Sequence, residues 1–210
     1  MQTRETTLKG MPPMERLEPI HTDGLRRIMG VLRIAMGWTF LWAFLDKAFA
    51  LGFSTGRVLD EATGETLKID YFGDAAWING ASPTAGVVGF ATDGSPFQGA
   101  IQTVTGFQMT EFGPQVAGWV DWVFMGAMLL IGLGLILGIG TRLAALGGIV
   151  WMAIFYGATA IWPEHNPFLD DHVVYTVILV GLILANAGRY LGLGKAWQRV
   201  GFVKDRRYLY

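Results

Sequence analysis

The chain has 210 residues, of which 52% are hydrophobic and 16% charged, with a formal net charge of −1. That balance excludes a basic nucleic-acid binder. The absence of cysteine excludes a disulfide, a thiol nucleophile, an iron–sulfur cluster or a thioether-linked haem held by this chain. One domain is expected at this length, and any redox chemistry must use a carried molecule or another subunit.

Residues 1–24 are polar, contain Pro12, Pro13 and Pro19, and lack an apolar run of their own. They read as a cytoplasmic tail, not as a cleavable leader. Four apolar stretches then approach bilayer length. They cover 28–49 (IMGVLRIAMGWTFLWAFLDKAF), 118–139, 143–162 and 172–191. The fourth is the shortest in strongly apolar residues, and local thinning of the bilayer would absorb the difference. The 29 glycines suit closely packed membrane helices, because small residues let backbones approach.

Lys and Arg set the orientation. With the N-terminus inside, only Lys47, Arg57 and Lys68 fall outside, and the other 13 of the 16 basic residues fall inside. Four spans with both termini cytoplasmic satisfy this balance. The second and third spans are joined by a few residues around Gly140–Arg142, so they form an antiparallel hairpin. The 51–117 connection is too long for a bare loop. GRVLDEATGETLKIDYF reads as a β-hairpin turning at Ala62, Thr63 and Gly64. AWINGASPTAGVVGFA and SPFQGAIQTVTGFQ each carry a Ser-Pro helix start and read as short helices at the outer interface or folded back over the bundle. The overall expectation is an all-α integral membrane protein, a four-helix bundle with a long structured outer segment and a basic tail at 194–210.

Ionisable groups inside membrane segments face the bundle interior or a polar cavity. Trp38, Trp42 and Asp46 are spaced by four and share one stripe of the first span. Asp121 and Trp122 begin the second. Asp170, Asp171 and His172 begin the fourth, with Tyr175 one turn below. Three helix ends thus bring carboxylates and aromatics to the outer membrane surface. Asp46, Asp121, Asp171 and His172 are the candidates for proton handling, and Trp38, Trp42, Trp122 and Tyr175 the candidates for walling a quinone slot. Two bland alternatives stand beside this. An Asp at a helix N-terminus is an ordinary cap, and Trp or Tyr at that level is an ordinary aromatic belt. Asp46 fits the cap explanation least, because it ends a helix where the dipole disfavours it. It needs a partner, for which Lys47, Arg57 and His172 are candidates. His165 and His172 match no zinc spacing, so no metal is expected. Arg33, Asn186 and Arg189 could form a smaller polar cluster at the inner end, explained by packing and lipid headgroups. GLGLILGIG lies inside a span and lacks the strand context of a nucleotide loop.

Several of these stretches together resemble the DoxX/DoxD family of small four-helix membrane proteins. They are GWTFLWAFLDKAFALG, AWINGASPTAG, VDWVFMGAMLLIGLGLILGIGTRLAA and NPFLDDHVVY, and the resemblance covers about 25–193. It implies a compact four-helix bundle in a prokaryotic plasma membrane. In the DoxD branch it implies the membrane subunit of a thiosulfate:quinone oxidoreductase, with quinone as cofactor, tetrathionate as product and a second small subunit as partner. Other relatives imply an accessory protein that gathers redox-defence enzymes at the membrane. Thiosulfate is a dianion and the outer end is acidic, so charge argues against substrate binding by this chain alone.

Overall fold

The computed structural model describes residues 23–60, 62–111, 113–160, 166, 168–206 and 209. Four helices dominate them: α1 (Asp23–Phe49), α3 (Gly118–Leu137), α4 (Thr141–Phe155) and α5 (Asp171–Leu184). The 51–117 connection carries a two-stranded hairpin of β1 (Arg57–Leu59) and β2 (Thr66–Ile69). A 3₁₀ turn at Trp77–Asn79, a π-helical turn at Val87–Ala91 and the short helix α2 (Gln98–Thr105) follow. A second hairpin of β3 (Gln108–Thr110) and β4 (Gly113–Gln115) closes the segment. Past α5 come a 3₁₀ turn at Ala187–Arg189 and the single-turn helix α6 (Gly194–Trp197).

The four long helices pack in a ring: α1 on α3, α3 on α4, α4 on α5, and α5 back on α1. Their shared core holds Met36 and Phe40 of α1, Met125, Met128 and Leu135 of α3, Ala145 and Met152 of α4, and Leu179 and Leu182 of α5. α1 and α3 approach closely through glycine. A Cβ on Gly37 would lie 2.8 Å from the Ile136 nitrogen, and one on Gly132 would lie 2.7 Å from the Leu41 nitrogen. Small residues at this crossing let the backbones touch.

The surface of the ring is apolar. Ile28 and Val31 on α1, Val123 and Leu130 on α3, Leu146 and Val150 on α4, and Val177 and Leu184 on α5 all point outward. A water-soluble chain leaves no such continuous apolar exterior, whereas lipid tails match it. Three helical stretches are long and apolar enough to cross a membrane: Asp23–Phe49, Gly118–Leu137 and Thr141–Ala158.

The fourth expected span needs correction. Helix does not run through 172–191: α5 ends at Leu184, and Asn186 turns the chain with a left-handed φ of 48°. Its 14 residues reach about 21 Å at 1.5 Å per residue, short of a hydrocarbon core of about 30 Å. The rest of that apolar stretch is turn. The third span continues past Phe155 as a π-helical turn at Tyr156–Ala160; residues 161 and 162 of the expected stretch lie outside the described residues, as do Glu164, His165 and the expected tail through residue 22. The hairpin expected at 57–69 is present with the expected strands. The second hairpin was not foreseen. Among the described residues of the basic tail, Val203 is fully buried, and Trp197 Nε1 donates to the Leu209 carbonyl at 2.8 Å.

Candidate functional site

The antiparallel ring brings the C-terminal ends of α1 and α4 and the N-terminal ends of α3 and α5 to one end of the molecule. Each acid there meets a different partner. Asp46 is almost fully buried. The chain leaves α1, turns, and returns so that Phe53 N (2.9 Å), Ser54 N (3.0 Å) and Ser54 Oγ (2.6 Å) all donate to its carboxylate. Three donors offset the unfavourable dipole at a helix C-terminus. Lys47 Nζ reaches Ser54 Oγ at 2.9 Å, and Arg57 Nε is turned to the Gly52 carbonyl at 2.7 Å. The partner of Asp46 is therefore the 53–54 turn, and neither Arg57 nor His172 contacts it.

Asp121 is also buried, in the first turn of α3. Its Oδ1 accepts from Ser82 Oγ (3.1 Å), Thr84 N (3.1 Å) and Thr84 Oγ1 (2.6 Å). The first Ser-Pro helix start is thus docked on a helix N-terminus. The second Ser-Pro is pinned elsewhere: Ser95 Oγ donates to the Gly157 carbonyl at 2.9 Å. At α5 the capping acid is Asp170, which accepts from Val173 N at 3.1 Å. Its Oδ2 lies 2.5 Å from His172 Nδ1. Against an ionised carboxylate Nδ1 is the donor, leaving Nε2 for a second partner. Asp171 is exposed at the start of α5.

The expected aromatic residues separate into distinct groups. Trp38 and Trp42 meet at 5.6 Å with their rings tilted by 33°, and Phe53 meets Trp42 edge-on at 4.8 Å. Trp122 meets Trp77 edge-on at 4.7 Å. His172 lies 5.8 Å from Phe155, which joins Phe124 and Trp151. Tyr175 packs against the common core. Trp38 is 51% exposed on the outer face of α1, near its midpoint. Among the described residues no group of three or more acids and histidines could hold a metal ion.

The opposite end carries a feature whose role the sequence did not show. Arg33 is fully buried. It donates to the Leu135 carbonyl, to Ile136 O (3.1 Å), to Tyr190 O (2.9 Å) and to Leu191 O (2.8 Å). Two of these are carbonyls of the last helical turn of α3, which have no intrahelical partner. The other two belong to the non-helical turn past α5, whose carbonyls need a partner wherever water is excluded. Asn186 and Arg189 do not join this network. A lone arginine inside a span was the only signal, and its partners are main-chain atoms far away in sequence.

Comparison with family models, curated proteins and solved structures finds no match to this chain.

Proposed function

We propose that this chain is a multi-pass membrane subunit of the DoxX/DoxD kind, working in quinone-linked redox metabolism in a prokaryotic plasma membrane. Its four helices sit in the bilayer with the short α5 locally thinning it, and both termini are cytoplasmic. The observation that carries the quinone reading is Trp38. Tryptophan belongs at the membrane interfaces, yet Trp38 is half-exposed near the middle of a span. It continues through Trp42 to Phe53, and Phe53 is held by Asp46. Such a ladder, tilted by 33° between Trp38 and Trp42 and edge-on at Phe53, gives a lipid-accessible aromatic face on which a quinone ring can pack at Trp38, worth about 0.5–1.5 kcal/mol per aromatic pair. Lys47, at its outer end, supplies a donor for a quinone carbonyl.

Of the residues expected to handle protons, His172 offers the best arrangement, because Asp170 orients it. Asp171 is its solvent-side neighbour. Asp46 and Asp121 already accept three hydrogen bonds each, and a holding role suits them better. Thiosulfate oxidation is the reaction to test first, with the dianion bound by a partner subunit. Quinone reduction by membranes carrying Trp38→Leu is expected to fall at least fivefold at limiting quinone and recover at high quinone. Unchanged kinetics would remove Trp38 from the site.

A second reading, a non-catalytic accessory or scaffold subunit, is favoured by the outer segment. Tyr71, Phe72, Ile78, Phe97 and Met109 are exposed there, on a surface pinned to three helix ends. A stoichiometric partner held by that surface, with no quinone bound, would favour this reading over the first.

A further inference from the structure

A cavity of about 400 Å³ opens at the end of the bundle opposite the acids, lined by Arg26, Arg189, Tyr190, Lys195, Gln198 and Arg199. Four of the six lining residues are cations and none is an acid. Its volume falls within the range of small-molecule sites. Arg26 also pairs with exposed Asp23 at 3.3 Å. The side chains of Arg189, Lys195 and Arg199 have no hydrogen-bond or ion-pair partner among the described residues. Of these cations only Arg26 has an acidic partner among the described residues, so the exposed cations that converge on this cavity give it a positive potential that favours an anion.

The walls are fixed. Arg33 holds the Tyr190 and Leu191 carbonyls, and Leu191 keeps a left-handed φ of 51°. α6 lies directly on the Ala187–Arg189 turn: a Cβ on Gly194 would sit 1.9 Å from the Gly188 carbonyl oxygen. The cavity therefore combines elements from both ends of the described chain on a rigid floor, and it lies where α1 leaves the apolar stretch.

We propose that this cavity binds a phosphate anion presented by the headgroup of an acidic membrane lipid. A lipid source follows from the position at the end of the apolar exterior, on the side where basic residues outnumber those of the other end. Basic pockets there meet the anionic leaflet. The site is independent of the quinone reading.

The test uses the full chain in vesicles of equal phosphatidylglycerol and phosphatidylcholine, extracted gently and weighed by native mass spectrometry. The intact protein is expected to retain phosphatidylglycerol selectively. The triple variant R189Q/K195Q/R199Q is expected to retain it at least tenfold less. The control R27Q/K204Q/R206Q removes equal charge outside the cavity and is expected to match the parent. Thermal unfolding of both variants checks that the fold survives. Equal retention of the two lipids, or loss of retention in the control as large as in the triple variant, would overturn the site. Displacement of the lipid by millimolar inorganic phosphate would assign the cavity to a soluble anion and overturn the lipid source.

Discussion

At the scale of single residues, buried charges act here as fasteners for main chain. Arg33 is the clearest case. Hydrogen bonds to charged groups are worth about 1.5–3 kcal/mol each, and Arg33 makes four such contacts. Arg33→Met should destabilise the protein by about 3 kcal/mol or more, read as a lowered thermal midpoint in detergent. Arg33→Lys should recover little, since an ammonium lacks the planar fork that reaches several carbonyls. Asp46 makes the equivalent argument at the other end. Asp46→Ala should cost about 2 kcal/mol and Asp46→Asn about half that, because the amide keeps one acceptor. Hydrogen exchange at Phe53 and Ser54 should quicken in the same order. Equal protection in all three proteins would show that the turn does not depend on Asp46.

At the scale of elements, the sequence was most informative where the physics is local. The first hairpin was legible because its turn chemistry lies within a few residues. Asp60 completes it: its carboxylate accepts from Thr63 N and Ala62 N, both at 2.9 Å. These bonds, Thr63 first, hold the exposed Asp60 below the ordinary aspartate range. The ionised form is the acceptor, so the turn is fully supported above the unfolded-state value. That support fades as pH falls through the lower, folded value. The Ala62 and Thr63 amide shifts should titrate together in this acidic window, and Asp60→Asn should abolish the titration. The end of α5 was not legible. The run 185–191 leaves the helix at Asn186, whose left-handed turn brings the Tyr190 and Leu191 carbonyls to the Arg33 donors on α1. Helix ends also misled: proximity of Asp121 and Asp46 at one level did not make a cluster, because each is captured by its own loop.

At the scale of the whole molecule, composition and periodicity showed a helical chain with an apolar exterior, and three helices of spanning length are present. The proposed orientation is directly testable because the chain lacks cysteine. Thr63→Cys, in the first hairpin, should react with a membrane-impermeant maleimide in intact cells. Lys204→Cys should react only after permeabilisation. Labelling of both from one side would contradict the topology. The segment pinned by Asp46 and Asp121 and the basic cavity lie at opposite ends of the bundle, so the two labels read its two ends separately.

The most direct test of the quinone reading is native mass spectrometry of the protein taken from its own membranes in mild detergent. A bound quinone is expected on the wild-type chain, alone or with one small subunit, and its loss is expected in Trp38→Leu with the fold intact. A large stable partner with no quinone in either protein would contradict it and leave the accessory role as the function.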